Sequence, residues 1–107
     1  MVNKGEFRAF ALSLENVIEK PHFEKASYTT NNKIFATLDA KNNIGCVKLS
    51  TDVQNEYSSI QTFIYPVEGY WEKLGWTYIN LQKATEEFTK EVLEQAYHLI
   101  SLKKNST

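Results

Sequence analysis

The apolar residues of this chain change their spacing near residue 26, and this change constrains the fold more than any other feature. In "KIFATLD" (33–39) and "GCVKLS" (45–50), apolar residues occupy alternate positions. A period of two residues is typical of strands with one buried face. Asparagine, which tolerates positive φ, fills the breaks at 31–32 and 42–43. The pattern predicts three antiparallel strands, at about 26–30, 33–39 and 43–50.

Helical spacing lies on both sides of these strands. Asn3 and Glu6 have the arrangement of a capping box, and apolar residues then recur three and four positions apart, which predicts a first helix at about 4–14. Pro21 prevents this helix from continuing further. Thr85 is the expected N-cap of a last helix. The apolar stripe of that helix comprises Phe88, Val92, Ala96, Leu99 and Ile100.

Three further elements are predicted between residues 50 and 81. Ser50 or Thr51 is expected to cap a short helix, with Gln54 in the capping-box position after Thr51. "TFIYPV" (62–67) is interpreted as a strand that ends at its proline, and "WTYINL" (76–81) as another strand. Two glycines and two aromatic residues occupy the loop between them.

The predicted order is therefore α-β-β-β-α-β-β-α, a two-layer α+β sandwich. Strands joined by hairpins form an antiparallel sheet, and the helices are expected to cover one of its faces. The other face is left open to a partner. Alternation assigns five residues to this open face: Phe35, Thr37, Lys48, Trp76 and Tyr78.

Length and composition predict one domain over 1–107, with 103–107 as a frayed tail. The chain has 107 residues, 42% hydrophobic and 23% charged, which is typical of a soluble globular domain. Cys46 is the single cysteine, so an internal disulfide is impossible. No apolar stretch resembles a signal peptide or a membrane span. We expect a cytoplasmic protein without a membrane partner.

The charge distribution is uneven although the formal net charge is only -1. Five lysines face two acidic residues between 20 and 48, whereas 49–107 contains eight acidic residues and five lysines. The middle segment is thus mildly basic. Because binding to phosphates depends on accumulated positive charge, strong nonspecific attraction to nucleic acid is not expected from the chain as a whole.

Several segments resemble the MmcQ/YjbR family of small bacterial proteins, over roughly residues 5–102. The most specific are Lys20-Pro21-x-Phe23, Lys33-x-Phe35-Ala36, and the stretch from Pro66 to Gly75-Trp76. The resemblance implies a fold similar to the secretion-chaperone-like arrangement, which is also compared with the frataxin (CyaY-like) fold. It also implies DNA binding, since the family is described as DNA-binding and as a "double wing".

One feature departs from that implied function. Arg8 is the single arginine, and the other cations of the middle strands and of the Gly-Trp hairpin are lysines. Lysine contacts phosphate as a point charge but lacks the planar fork that reads guanine edges. We therefore expect weak contact with the DNA backbone rather than reading of its sequence.

The candidate nucleic-acid-binding residues combine basic and aromatic side chains. Lys33 and Phe35 are predicted to share a strand face next to Lys48, and Trp71 is expected to stack on bases beside Lys73. The full candidate set is Lys20, His22, Lys25, Lys33, Lys48, Trp71 and Lys73. The alternative is that these lysines are solvated and that Tyr70 and Trp76 fill the core, with Trp71 as the ring whose neighbours favour exposure.

Catalysis and metal binding receive little support from the residue pattern. His22 and Cys46 are the only candidates for a nucleophile with a base, and no third residue to orient them is evident. Glu94 and His98 are four residues apart on the last helix. An exposed side-chain pair is a simpler interpretation of this spacing than two metal ligands. The sequence predicts no enzyme, no metal and no cofactor.

The leading hypothesis is a non-enzymatic DNA-binding protein that uses a basic, aromatic-lined sheet face, as a monomer or weak homodimer. The alternative is a protein-interaction or chaperone-like domain that holds a peptide or a second copy of itself on the same face. A third possibility is a small molecule bound beneath the hairpin that carries Trp71.

Overall fold

The protein forms an antiparallel sheet with its long helices on one face, as the sequence predicts, but the sheet has six strands rather than the predicted five. The structure is a computed structural model that describes residues 1–105, except for the side chains of residues 72 and 102–105. The elements in chain order are α1 (Lys4–Leu12), β1 (Ile18–His22), β2 (Lys25–Thr30), β3 (Lys33–Asp39), β4 (Ile44–Lys48), α2 (Thr51–Ile60), β5 (Ile64–Pro66), α3 (Tyr70–Lys73), β6 (Trp76–Asn80) and α4 (Glu86–Asn105).

The strands lie in the order β1-β2-β3-β4-β6-β5, and every neighbouring pair is antiparallel. The core lies between the sheet and the helices α1, α2 and α4, and Phe7 and Ala11 are the buried residues of α1. Within the described residues, no helix combines the length and the apolar character needed to cross a membrane. The predicted frayed tail at 103–107 is not tested, because residues 106–107 lie outside the described residues.

The predicted caps and turns are largely confirmed. Asn3 and Glu6 form the reciprocal capping box of α1, with N···O distances of 2.8 and 3.0 Å. The Thr85 hydroxyl accepts the backbone N–H of Phe88 at 3.1 Å, as expected for an N-cap. The asparagines at 31, 32 and 43 all have positive φ. These side chains tolerate that conformation because they are short and polar.

Two elements were missing from the predicted order. Residues 18–22 form an edge strand, β1, although Pro21 lies within it. An edge strand tolerates proline because the missing N–H faces no neighbouring strand. The loop between β5 and β6 contains α3, a single helical turn of four residues.

The assignment of Phe35 to the open face is wrong, because a β-bulge changes the register of β3. Tyr28 pairs with Ala36 but Thr29 pairs with Ile34, so Phe35 has no partner on β2. A bulge shifts the alternation of the side chains that follow or precede it. Phe35 is consequently buried, with its ring 5.8 Å from that of Tyr97 on α4.

Candidate functional site

A row of paired residues forms the centre of the open sheet face. Thr37 is the partner of Cys46, Cys46 is the partner of Tyr78, and Tyr78 is the partner of Tyr65. Directly paired residues project on the same side of a sheet. Thr37, Cys46 and Tyr78 are each half-buried, which means that no helix layer covers them. The prediction of an open face carrying Thr37 and Tyr78 is confirmed.

Thr37, Cys46 and Tyr78 from this row form the floor of a shallow groove with a volume of about 390 Å³. The groove extends across the sheet from the hairpin of β1 and β2 to the segment around α3. We call it the open-face groove. It is lined by His22, Lys25, Ile34, Thr37, Cys46, Val67, Trp71, Trp76 and Tyr78.

Exposed aromatic rings border the groove at α3. Trp71 is 53% exposed, and the neighbouring Tyr70 is 69% exposed, with ring centroids 5.8 Å apart. Placing Tyr70 in the core was therefore wrong. Trp76 is only half-buried and lines the groove, so it does not fill the core either. Polar neighbours around Trp71 correctly favoured its exposure.

A buried hydrogen-bond network beneath β6 holds the start of this strand, which carries Trp76. The Gln54 side-chain amide donates to the carbonyl oxygen of Trp76 and to the hydroxyl of Thr77, both at 3.0 Å. The Thr77 hydroxyl donates in turn to the carbonyl oxygen of Gly75 at 3.0 Å. The backbone N–H of Leu49 donates to the same oxygen at 2.9 Å. The start of β6 is thus tied to both α2 and the end of β4.

The role of Gln54 in the structure differs from the one that its position in the sequence predicts. Its spacing from Thr51 predicts a capping-box partner, but Ser50 caps α2 by accepting the N–H of Val53. Gln54 is fully buried and faces the sheet. The signal that could have revealed this is its spacing of three residues from the buried Tyr57, which places both on the inner side of α2.

The electrostatics of the groove are set by Lys25. Among the described side chains that line the groove, it is the only one with a permanent charge, and none is a carboxylate. His22 adds an imidazole, whose ring nitrogens can form hydrogen bonds with a ligand. The groove therefore combines an aromatic and aliphatic surface with a positive charge at one end, which suits a planar group carrying an anionic substituent.

Cys46 in the floor of the groove is not activated as a nucleophile. Burial raises the pKa of its thiol to about 11, and hydrogen bonds from Thr77 and Thr37 and the charge of Lys25 offset only part of that effect. The thiol is therefore protonated at neutral pH, whereas a nucleophilic cysteine needs a lowered pKa. His22 lines the same groove but leaves the thiol in this state.

Three of the seven predicted site residues lie together: His22, Lys25 and Trp71 all line the open-face groove. Lys48 lies next to it, because it is the cross-strand partner of Trp76. Lys48 is half-buried rather than fully solvated. The structure thus brings together the basic residues of β1 and β2 with the aromatic residues of α3 and β6.

The other three predicted residues are exposed outside the groove lining. Lys33 precedes Ile34, which lines the groove, so strand alternation directs Lys33 to the other side. The predicted shared face of Lys33 and Phe35 does not converge with Lys48. Lys20 lies with Lys25 beside a second depression that also contains Glu19 and Glu24, and Lys73 ends α3.

No cluster of three or more histidine, cysteine, aspartate or glutamate side chains suited to a metal ion occurs among the described residues. Glu94 and His98 are both exposed on α4. Tyr97, between them in the helix, donates its hydroxyl proton to the carbonyl oxygen of Glu15 at 2.6 Å.

The fold and the groove define a class of protein: a two-layer α+β domain with an open, partly aromatic sheet face. Solved structures share this fold. The crystal structure of Deinococcus radiodurans protein DR2400, which contains a DUF419 domain, matches with a TM-score of 0.82 and 18% identity, covering 94% of this chain and 80% of that one.

A second solved structure, a protein from Pseudomonas syringae, matches with a TM-score of 0.71 and 14% identity, covering 92% of this chain and 98% of that one. At these identities the likeness shows the fold alone. A comparison with protein-family models finds no match to this sequence, and a comparison with curated proteins finds none either. Both structural neighbours are proteins whose function is uncharacterised.

Proposed function

We propose that this is a non-enzymatic protein of the MmcQ/YjbR type that binds single-stranded DNA weakly and without sequence specificity in the open-face groove. The observation that carries the proposal is the composition of the groove: three aromatic residues, Trp71, Trp76 and Tyr78, share one surface with Lys25. Proteins that bind single strands combine stacking rings with positive charge in this way.

The structural likeness to a DUF419 domain supports the family part of the proposal, because that domain is grouped with YjbR/MmcQ-like proteins. The state of Cys46 supports the non-enzymatic part, since the one candidate nucleophile of the groove is held as a thiol. The small number of cations supports weak binding. A groove with one lysine neutralises few phosphates, so its affinity should be modest and sensitive to salt.

Single strands suit this surface better than a duplex. The groove is shallow, and its rings are half-buried or exposed. Unstacked bases can lie on such rings, whereas bases inside a duplex present only their edges. Sequence preference is not expected, because Arg8 lies on α1, where its Nε donates to Glu19 at 3.0 Å.

A fluorescence titration with a short oligothymidine at low salt tests this proposal. Trp71→Ala should weaken binding by about 1–3 kcal/mol through the loss of one stacking surface. Lys25→Ala should weaken binding and reduce the slope of log affinity against log salt by about 0.7, the contribution of one phosphate contact.

Lys4→Ala is the matched control, because it removes one exposed positive charge from the first residue of α1, in the helix layer. It should leave both the affinity and the salt slope unchanged. Equal effects of Lys4→Ala and Lys25→Ala would show that net charge alone drives binding. Undetectable binding of the wild-type protein at low salt would end the proposal.

The alternative is a surface that holds a peptide or a second copy of the chain. The edge strands of the sheet disfavour one form of this alternative, the addition of a further strand. Both edge strands contain a proline, Pro21 in β1 and Pro66 in β5. Proline offers no N–H to a further strand, so both edges are poor templates for strand addition. Light scattering over a range of protein concentrations distinguishes a monomer from a dimer that associates through the sheet face.

A further inference from the structure

The turn between β1 and β2 carries an aromatic side chain where the backbone does not favour one. His22 pairs with Lys25, so Phe23 and Glu24 form a two-residue turn. Phe23 has a φ of 59°, in the left-handed region that glycine and asparagine adopt most readily in such turns. Its side chain is also 95% exposed. Neither the local backbone nor the core accounts for a phenylalanine at this position.

This turn lies at one end of the open-face groove. The residues on either side of it, His22 and Lys25, both line the groove, and the ring of Phe23 lies 5.0 Å from that of His22. The other end of the groove is bordered by Trp71 on α3, which contacts β6. Exposed rings therefore border the groove at two ends that are separated by the width of several strands.

The separation sets the size of the ligand. From β2 across β3 and β4 to β6 there are three strand spacings. At about 4.8 Å each, they amount to about 14 Å. In a strand with stacked bases each nucleotide occupies about 3.4 Å, so about four nucleotides fill the distance between the two ends.

We infer that Phe23 is a ligand-contacting residue and that the groove binds a single strand of about four nucleotides, with one base on Phe23 and another on Trp71. This inference rests on the proposed function and adds a site length and a second stacking residue to it. Lys25 lies beside the turn, where it can meet a phosphate of the same strand.

Titration with oligothymidines of two, four and six nucleotides tests the inference. Wild-type affinity should rise at least about fivefold from two to four nucleotides, because the longer strand gains a second stacking contact, and then change little from four to six. Phe23→Gly should abolish this gain while leaving the affinity for the dinucleotide within about twofold.

Phe23→Gly and Phe23→Asn suit this purpose because both replacements tolerate positive φ, so the turn should keep its shape and the unfolding temperature should not fall. Phe23→Tyr keeps the ring and should bind like the wild type. Ile60→Ala is the control, since it removes an exposed apolar side chain at the end of α2, in the helix layer.

The outcomes separate the two proposals. If the wild-type protein binds and shows the length step but Phe23→Gly and Phe23→Asn bind like it, the role of Phe23 is wrong and the proposed function stands. If wild-type affinity shows no step between two and four nucleotides, the inferred site length is wrong. If the wild-type protein binds none of the oligonucleotides, both the proposed function and this inference are overturned.

Discussion

Replacing Gly75 by alanine should destabilise the protein far more than the same replacement at Gly69, although the two glycines flank the same helical turn. Both have positive φ, 90° at Gly75 and 77° at Gly69. A Cβ at position 75 would overlap the carbonyl oxygen of Leu49, whereas a Cβ at position 69 would meet no atom within 4 Å. The comparison therefore separates steric overlap from backbone strain.

The magnitudes follow from these contacts. Alanine with positive φ costs about 1–2 kcal/mol, and this is the whole expected effect of Gly69→Ala. At Gly75 the two backbones must also move apart, which disturbs the hydrogen bond from the Leu49 N–H to the Gly75 carbonyl oxygen, 2.9 Å long. Overpacking adds about 1–3 kcal/mol and the weakened hydrogen bond about 1 kcal/mol. Gly75→Ala should therefore cost about 3–6 kcal/mol.

Equilibrium unfolding in urea, followed by circular dichroism, measures both free energies of unfolding. Gly75→Ala should also weaken oligonucleotide binding, because Gly75 accepts a hydrogen bond from Thr77 and adjoins Trp76 in the groove. Equal destabilisation by the two variants would refute the close approach of Leu49 and Gly75. The attachment of β6 to the end of β4 would then need revision.

Two substitutions and one chemical modification test the packing of side chains against the sheet. Gln54→Leu leaves the Thr77 hydroxyl without its buried donor and should cost about 1–3 kcal/mol in urea unfolding; no change would contradict the network beneath β6. Cys46, with a pKa of about 11, should react with iodoacetamide about a hundredfold more slowly at pH 8 than an ordinary thiol, and a rate that levels off near pH 9 would disprove this. Burial and a hydrogen bond to Glu19 raise the pKa of Tyr28 above its ordinary value of 10.0, so the stability this phenol supplies is present below that pH and lost as pH rises above it. Stability curves of the wild type and Tyr28→Phe should therefore converge at alkaline pH, and parallel curves would contradict the assignment.

Local signals in the sequence were sufficient for most helices and turns. The capping box of Asn3 and Glu6 and the N-cap at Thr85 depend on residues close in the chain, so they could be predicted directly. The alternation of β6 was also predicted correctly, since Thr77 and Ile79 are buried and Trp76 and Tyr78 line the groove.

The errors arise where partners distant in the chain decide the structure. The bulge at Phe35 appears only when β2 and β3 are aligned, and it moves an aromatic ring from the open face to the core. β1 was missed because Pro21 is acceptable only at an edge, and the sequence does not show which strand is an edge.

The candidate site was predicted in part for the same reason. His22, Lys25 and Trp71 come together because the sheet order places the first hairpin and α3 on the same open face. Strand alternation also placed Lys33 in the predicted site, but one residue of register directs its side chain away from the groove. The role of Gln54 could have been predicted only from its spacing to Tyr57 on α2. The role inferred for Phe23 depends on where the turn between β1 and β2 lies relative to the groove.

Amide chemical shifts recorded while a six-nucleotide oligothymidine is added test the central claim most directly. Binding in the open-face groove predicts shifts at Thr37, Cys46 and Tyr78 in the floor, at the turn of Phe23, and at α3, with little change in α1 or the outer side of α4. The shifts should weaken together as salt is added. Shifts confined to the helix layer, or no shifts at all, would contradict the account.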